Sequence, residues 1–274
     1  MVKVSVIIPL FNAESVIVEC LESVFSQSLD NIEVIVINDA STDDSVEVVN
    51  SYMKDHDLIF LKNEVNKGLP YTRNKGLTEA QGEYVFFLDS DDKIASNEAL
   101  EKLYRLAIRT NSDEVIGKVS YWFPIDNSIQ YGYFDLFQKY GTFFLKDVTQ
   151  APEVVVENCI ATNKLIKRSF LLSNSLKFNE KLRRHEDNLF SFKVHALANG
   201  IAYLDELSYL YRQSGSGIMA TKDPNRYKYL IEILRDSSVF YMQNRTRISK
   251  KFFKLFFNAL FISLRYEIIE NDNS

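Results

Sequence analysis

Three carboxylates follow directly after a run of apolar residues, and chemistry is expected there first. The apolar run is Tyr84–Leu88, and Asp89-Ser90-Asp91-Asp92 comes next. An uninterrupted apolar run of this length is typical of a strand that is covered on both faces of a sheet. Removing unpaired carboxylates from water is costly, so these side chains must meet water, a cation or a ligand. Ligands of open α/β sheets bind at strand ends, which makes this segment the first candidate site.

A second acidic pair, Glu186-Asp187, follows the basic segment Arg183-Arg184-His185. The apolar residues after the pair predict a helix that begins at it. Carboxylates are favoured in the first turn of a helix by the helix dipole. The pair therefore has two interpretations, an ordinary helix start and a second functional site.

Polar residues also follow the second predicted strand, in the segment 38–44. Helix capping explains Ser41 and Asp43 but leaves Asp39, whose carboxylate can accept a hydrogen bond from a nucleotide base. Cations near the same edge include Arg73. For a single arginine such as this one, a solvated helix face is the more ordinary interpretation.

The first hundred residues alternate between strand-like and helix-like patterns with short links. Asn12 is expected to cap the first helix, and the fourth is expected to turn Ile108 inward. The alternation predicts an α/β fold, a doubly wound and largely parallel sheet flanked by helices. Strands are predicted over 2–8, 32–37, 58–61 and 84–88, and helices after 12, over 45–53, over 70–80 and from 96.

The composition is that of an ordinary globular protein and argues against several classes. The chain has 274 residues, 46% of them hydrophobic, which is enough for a substantial core. A net charge of -5 argues against a general affinity for nucleic acid. Cys20 and Cys159 lack the spacing of metal ligands and indicate reduced thiols in a cytoplasmic protein. The short apolar run at 4–8 has no cleavage site and predicts a strand, not a signal peptide.

The turn after the first strand argues against a dinucleotide-binding Rossmann domain. Such a domain needs a glycine-rich turn there, and Pro9-Leu10-Phe11-Asn12-Ala13 contains no glycine. No P-loop pattern occurs in the sequence. A bound diphosphate would therefore be held by side chains and a cation.

The segment 121–144 is crowded with aromatic residues that show no clean periodicity. One interpretation is a small sheet or loop layer packed on the core. The other is an aromatic wall that stacks against sugar rings. The two are compatible, since only a few rings need face a cleft.

Several motifs together resemble the family 2 glycosyltransferases of the GT-A fold. Each motif is weak alone, but they occur in the family's order and spacing, and the resemblance extends to about residue 215. The motifs are Val4–Asn12, Asn38–Asp43, Arg73–Gly76, Leu88–Asp92, Asn163–Phe170 and His185–Phe190.

The resemblance implies a domain organisation and a reaction. A GT-A domain over 1–220 would consist of a nucleotide-binding half, 1–95, and an acceptor half, 96–220. A C-terminal helical extension would follow over 221–274. The implied enzyme is an inverting hexosyltransferase that moves a sugar from a UDP-sugar to a hydroxyl of a glycan, glycoprotein or lipid-linked acceptor.

The resemblance also implies roles for individual residues. Phe11 would lie against the uracil, and Asp39 would accept from its N3–H. Asp89 would lie near the ribose and the metal, Asp91 would coordinate Mn²⁺ or Mg²⁺, and Asp187 would be the catalytic base. Further nucleotide-binding candidates are Pro9, Asn12, Arg73 and Ser90, and candidates for the acceptor or diphosphate are Glu186, His185, Arg184 and Arg212.

A simple electrostatic argument supports the metal if the donor is a nucleotide sugar. A diphosphate beside Asp89, Asp91 and Asp92 brings like charges together. Each close pair at ~4 Å costs about 4 kcal/mol at an effective dielectric of ~20. A divalent cation reverses that sign and stabilises the departing diphosphate.

Two segments near the end depart from the family or stand outside it. Many relatives place a histidine after the later Tyr-Arg, but Tyr211-Arg212 is followed by Gln213–Ser216, so either Arg212 and Ser216 serve the diphosphate or the stretch is a lid. Residues 245–264 form a basic amphipathic pattern, far short of the ~20 apolar residues that span a bilayer. This pattern predicts either packing against the catalytic domain or contact with an anionic membrane surface.

Two other functions are compatible with such a fold. A nucleotidyltransferase would need a glycine-rich basic loop after the first strand, which the sequence lacks. A non-catalytic sugar-nucleotide or glycan-binding module would not need both acidic sites. An active glycosyltransferase is therefore the leading prediction.

Overall fold

A computed structural model of the chain describes residues 1–130, 141–156, 159–213 and 226–272. One sheet of ten strands forms within these residues. The strands are β1 (Val4–Leu10), β2 (Ile32–Asn38), β3 (Ile59–Lys62), β4 (Tyr84–Phe87), β5 (Lys93–Ile94), β6 (Glu114–Phe123), β7 (Ser128–Gln130), β8 (Phe143–Leu145), β9 (Lys164–Lys167) and β10 (Ile201–Arg212).

The strand order is β3-β2-β1-β4-β9-β6-β10-β5, with β7 paired to β6 and β8 to β10. The first four of these strands are parallel to one another, and β6 is parallel to β10. β9 lies between the two groups and runs antiparallel to both neighbours, β4 and β6. The predicted largely parallel α/β sheet is confirmed, and β9 joins its two parallel parts.

Helices cover both faces of the sheet, as a doubly wound fold requires. In β1, Val6 and Ile8 face one core while Ile7 faces the other, because successive side chains of a strand point in opposite directions. The helices are α1 (Ile17–Phe25), α2 (Ser45–Tyr52), α3 (Leu69–Glu79), α4 (Ala99–Thr110), α5 (Pro152–Val156), α6 (Arg168–Ser173), α7 (Glu186–Leu197), α8 (Arg226–Gln243) and α9 (Lys250–Asp272).

Two local expectations are wrong. Asn12 does not cap α1, because it adopts a left-handed φ of 49° and a separate turn at Ala13 precedes the helix. Ile108, expected to face inward, is 49% exposed, because it lies in the last turn of α4, beyond the helix's buried face.

The aromatic segment partly forms the small sheet that was one of its two interpretations. β6 and β7 make an antiparallel hairpin, and β8 pairs with the edge of β10. Residues 131–140, which carry several of the aromatic rings, lie outside the described residues. The wall of sugar-stacking rings stays a prediction.

The C-terminal helices share a core with α7. Phe252 and Phe256 of α9 are buried and stack on Phe192 of α7, with ring centroids 5.6 and 4.1 Å apart. Packing of this tail against the catalytic domain, one of its two interpretations, is confirmed for these side chains. None of the helices in the described part of the chain combines the length and apolar composition that crossing a bilayer requires.

This packing predicts that α9 contributes to the stability of the whole domain. Phe252→Ala removes a fully buried ring, so the free energy of unfolding should fall by about 3–5 kcal/mol. Phe261→Ala is the matched control, since Phe261 is 54% exposed and its loss should change stability by about 0.5 kcal/mol or less. Urea unfolding followed by circular dichroism measures both. Equal effects of the two variants would contradict a shared core.

Candidate active site

The three carboxylates after β4 have different surroundings. Asp92 is buried and accepts hydrogen bonds from the Tyr209 hydroxyl at 2.5 Å and the Arg212 backbone N–H at 2.8 Å. Burial, and then the charges of Asp91 and Asp89, hold the pKa of Asp92 well above its usual range. The expectation that all three must meet water, a cation or a ligand is wrong for Asp92, because the fold supplies its partners. Asp89 and Asp91 are only partly buried.

Arg73 connects the two acidic segments of the sequence. One guanidinium nitrogen, Nη2, lies 2.7 Å from Asp89 Oδ1, and the other, Nη1, lies 3.0 Å from Glu186 Oε1. The side chain is 3% exposed and its guanidinium lies 5.2 Å from the Phe178 ring centre. Burial acts to lower the pKa of Arg73, but Asp89 and Glu186 outweigh it and raise that pKa. The interpretation of Arg73 as part of a solvated helix face is therefore wrong.

Glu186 and Asp187 form the first turn of α7, directly after His185, which has a left-handed φ of 59°. Burial, and then the charge of Asp187, raise the pKa of Glu186 to about 7, against the effect of Arg73. Burial also raises the pKa of Asp187, and Arg73 and the Asn188 N–H oppose this shift. The pair thus forms the first turn of the helix, as one interpretation expects, and Glu186 also contacts the buried Arg73, while its role as a second functional site stays a prediction.

Asp39 fixes the loop that leads into α3. Its Oδ1 accepts hydrogen bonds from Asn63 Nδ2 and the Lys67 N–H, both at 2.8 Å, and its Oδ2 accepts from the Gly68 N–H at 2.7 Å. Gly68 has φ of 90°, a conformation that favours glycine, immediately before the helix begins. Capping of α2 does not explain why an aspartate occupies position 39. The three hydrogen bonds that its carboxylate accepts from this loop do explain it.

The end of β1 presents an exposed ring beside a hydrogen-bonded turn. Pro9 is buried in the strand, whereas Phe11 is 48% exposed. The Asn12 N–H donates to Ser41 Oγ at 3.1 Å, and Asn12 Oδ1 accepts from the Thr42 N–H at 2.8 Å. Ser41 therefore binds the β1 turn and does not cap α2, which corrects its expected role. Asp43 Oδ1 accepts from the N–H of Ser45, the first residue of α2, at 3.1 Å, but the N-cap position itself is Asp44, which makes no side-chain capping bond.

Arg212, at the end of β10, holds the turn that carries Asp91. Its Nε donates to the Asp91 carbonyl at 2.5 Å, and its Nη2 pairs with Glu19 of α1. The guanidinium lies 4.3 Å from the Trp122 ring centre, and Lys93 Nζ lies 3.6 Å from the same centre. Residues 214–225 lie outside the described residues, and with them Ser216 and most of the stretch that was interpreted either as a diphosphate ligand or as a lid.

The remaining predicted residues lie close to these groups in the chain. Ser90 is partly buried between Asp89 and Asp91, and Arg184 is buried just before the α7 acidic pair. Two residues that sequence reasoning missed also shape the site, Glu19 and Tyr209, together with Trp122 of the aromatic segment. The aromatic alternation of residues 209 and 211 was a usable signal for Tyr209, but nothing local distinguishes Glu19 from any other helical glutamate.

The end of β4 offers two carboxylates to a divalent cation, which would take its other ligands from a bound phosphate and from water. Within the described ranges, no group of three or more histidine, cysteine, aspartate or glutamate side chains is placed to hold a metal. Mg²⁺ in nucleotide sites typically uses one or two carboxylates and takes its other ligands from phosphate and water. Asp89 and Asp91 fit that pattern, since burial and the charge of Asp89 raise the pKa of Asp91, and a cation would relieve this crowding.

Comparison with characterised proteins finds relatives along most of the chain. Glycosyltransferase GlyG of Streptococcus pneumoniae is 30% identical over 231 residues, which cover 80% of this chain and 73% of that protein. The poly(ribitol-phosphate) beta-N-acetylglucosaminyltransferase TarS of Staphylococcus aureus is 31% identical over 225 residues, 79% of this chain but only 36% of TarS. The chain thus spans a minor part of some relatives.

Solved structures show the same fold. The crystal structure of S. aureus TarS 1-349 in complex with UDP-GlcNAc has a TM-score of 0.72 and 27% identity, and the match covers 86% of this chain and 66% of that one. The likeness confirms the expected GT-A fold. The family model described as Glycosyl transferase family 2 matches residues 5–172. The chain belongs to glycosyltransferase family 2.

Proposed function

We propose that this protein transfers a sugar from a UDP-sugar to an acceptor hydroxyl, with inversion at the anomeric carbon. The observation that carries the proposal is the Arg73 bridge. It brings Asp89, at the end of β4, and Glu186, next to Asp187, to the two sides of one guanidinium. The bridge supports a site for the leaving group and a base for the incoming group that would share one cleft.

The donor proposal rests on the nucleotide end of the cleft. The exposed Phe11 ring offers a surface for the uracil, and Asp39 Oδ2, which among the described residues accepts only from the Gly68 N–H, keeps a lone pair that can accept from N3–H. Pro9, Asn12 and Ser90 would shape the same end. The TarS structures with UDP and UDP-GlcNAc support uridine as the nucleotide.

The reaction would be a direct displacement. Asp187 takes the proton of the acceptor hydroxyl as that oxygen bonds to the anomeric carbon. The bond from this carbon to the diphosphate breaks, and its electron pair leaves with UDP. Attack from the opposite face gives a β-linked product from an α-linked donor. Mn²⁺ or Mg²⁺ held by Asp91 and Asp89 would supply positive charge for the departing diphosphate.

The acceptor is proposed only as a class. The relatives include the poly(ribitol-phosphate) transferase TarS and a cholesterol galactosyltransferase of Borreliella burgdorferi, so a glycan, glycoprotein or lipid-linked hydroxyl is the proposed acceptor. The proposed acceptor would lie next to the residues that precede Asp187 in the chain, which are Arg184, His185 and Glu186. A panel of UDP-sugars, screened for Mn²⁺-dependent UDP release, distinguishes an enzyme from a sugar-nucleotide binder.

Asp187→Asn and Asp91→Asn should separate catalysis from donor binding. Loss of the base should lower the rate of transfer by a factor of ~10² to 10⁴ and leave the Mn²⁺-dependent thermal stabilisation by UDP intact. Loss of the proposed metal ligand should remove that stabilisation, which would be about 2.7 kcal/mol at a UDP concentration 100 times the Kd. UDP release and thermal shift measure the two effects.

Asp126→Asn is the control for both variants, because Asp126 is an exposed turn residue and should keep both properties. An Asp187→Asn protein that no longer binds UDP would refute the assignment of Asp187 as base. Full turnover in that variant would refute it equally.

Arg73→Gln should destabilise the protein, because it leaves Asp89 and Glu186 without their shared cation. Breaking a buried pair by removing one partner costs about 3–5 kcal/mol. Arg105→Gln is the matched control, since the guanidinium of Arg105 is mostly exposed and its pair with Glu101 is worth about 0.5 kcal/mol. Urea unfolding at neutral pH measures both, and a loss below about 1 kcal/mol for Arg73→Gln would contradict the bridge.

The α9 region is also proposed to contact an anionic membrane surface. Arg245, Lys250, Lys251 and Lys254 are exposed while the apolar face of the helix packs on α7. Each basic residue near such a surface contributes about 1 kcal/mol. Replacing the four with Gln should therefore lower co-sedimentation with phosphatidylglycerol vesicles by ~100-fold or more, and leave the weak binding to neutral vesicles unchanged. Equal binding to both vesicle types would contradict the proposal.

A further inference from the structure

A row of polar residues lies along the face of α7 that meets the sheet. Asp187, Ser191 and His195 are spaced by four residues, which places them on one side of the helix. Ser191 Oγ donates to the Ile160 carbonyl at 2.9 Å, and His195 Nδ1 lies 2.7 Å from Glu114 Oε2 of β6. Asp187 is therefore the cleft end of a polar contact between helix and sheet.

Lys164 occupies the middle of this contact. It is the first residue of β9, and its side chain is only 1% exposed. Its Nζ donates to the Ile160 carbonyl, the same oxygen that accepts from Ser191, and lies 3.4 Å from Asn163 Oδ1. Because Ser191 is one helical turn after Asp187, the shared carbonyl places the buried ammonium beside the face that carries the proposed base.

We propose that Lys164 is a positioning residue for the proposed transfer: its buried ammonium lies behind Asp187 and keeps that carboxylate ionised, ready to accept the proton of the acceptor. The inference rests on the proposed function for the role of Asp187. It assigns Lys164 no contact with substrate, and its effect passes entirely through the base.

The charges around Asp187 come from four elements, and Lys164 reduces their excess of negative charge. Asp89 after β4 and the adjacent Glu186 are negative neighbours, and Arg73 of α3 is a cation already paired with both of them. Lys164 is the second cation that opposes the raised pKa of Asp187.

Lys164 itself faces three acidic or titratable groups: Glu114 of β6, Cys159 and Asp187. His195 contacts the first of them. Burial lowers the pKa of Lys164 to about 8, and these neighbours, of which Glu114 acts most strongly, only partly offset the effect.

A charge whose pKa is lowered in this way works against folding at neutral pH. The unfolded chain holds the Lys164 proton up to its ordinary value of about 10.4, while the folded protein releases it near 8. The unfolded state binds more protons between these values, so stability rises with pH across that window.

Lys164→Met tests the proposal, with Lys164→Arg retaining the charge. Lys167→Met is the matched control, because Lys167 is on the same strand and its Nζ bonds Asn111 at the protein surface. The direct measurement is the titration of the Asp187 carboxyl carbon by NMR in uniformly folded, ligand-free protein, assigned with Asp187→Asn. Lys164 acts on Asp187 through its charge, and a nearby opposite charge shifts a carboxyl pKa by about 1–3 units, so Lys164→Met should raise the Asp187 midpoint by about one unit.

Lys164→Arg and Lys167→Met should leave the midpoint in place. An unchanged midpoint in Lys164→Met would overturn the proposal. If Lys164→Met does not fold, Lys164→Gln takes its place, because glutamine keeps a donor to the Ile160 carbonyl without the positive charge. The expected rise of the Asp187 midpoint is the same.

A second readout separates this inference from the proposed function. The second readout is the pH profile of UDP release, measured with a UDP-sugar that the enzyme accepts. In Lys164→Met the acidic limb of this profile should move to higher pH by the same amount as the NMR midpoint. At pH values well below that limb the rate should fall about ten-fold. If Asp187→Asn stays active, the proposed base is refuted whatever Lys164 does. If Asp187→Asn is inactive and both the limb and the midpoint of Lys164→Met stay at their wild-type values, only the role of Lys164 is refuted.

Discussion

The structure depends on one buried guanidinium placed between two carboxylates. Asp89 follows β4 and Glu186 opens α7, and without Arg73 these two acidic groups would repel each other across a poorly solvated cleft. Taking charges out of water is costly, and the attraction within such a pair offsets that cost only when the geometry is good. Both contacts meet that condition at 2.7 and 3.0 Å. The bridge therefore does more than hold a helix in place. It also sets the distance between Asp89 and Glu186, at the two ends of the site.

Sheet topology explains why the bridge can form. β9 inserts antiparallel between β4 and β6 and so joins the parallel strands β1–β4 to β6 and β10. Lys164 begins that strand, and the neighbouring β6 carries Glu114, so the polar row of α7 meets the strands that join the halves. From the opposite side, Phe252 and Phe256 of α9 stack on Phe192. The helix that carries Asp187 is thereby held between the sheet and the C-terminal helices.

The sequence predicted the strand end well and its individual carboxylates less well. A fully apolar run before Asp89 has one common structural interpretation, so β4 and the acidic turn were predictable from local pattern. Asp92 was not, because its partner Tyr209 is 117 residues away and no local feature tells which of three carboxylates turns inward. Arg73 was misread for the same reason: α3 has little amphipathic pattern, and the Phe178 ring and Glu186 that cover it come from distant segments. Contacts between remote segments decide whether such a charged side chain is buried. The periodicity of apolar residues in a single sequence does not reveal these contacts.

Distant contacts also give Arg212 surroundings that differ from those expected from the sequence. Arg212 resembled a ligand for the diphosphate, yet its guanidinium lies against Trp122, pairs with Glu19 and binds the Asp91 carbonyl. Its side chain thus holds the backbone of the turn whose carboxylates are proposed to meet the metal. A cation used in this way stabilises the acidic turn without neutralising the Asp91 carboxylate, whose pKa stays raised by burial and by Asp89. The turn is held by these contacts but is still short of positive charge, and the proposed divalent cation would supply that charge.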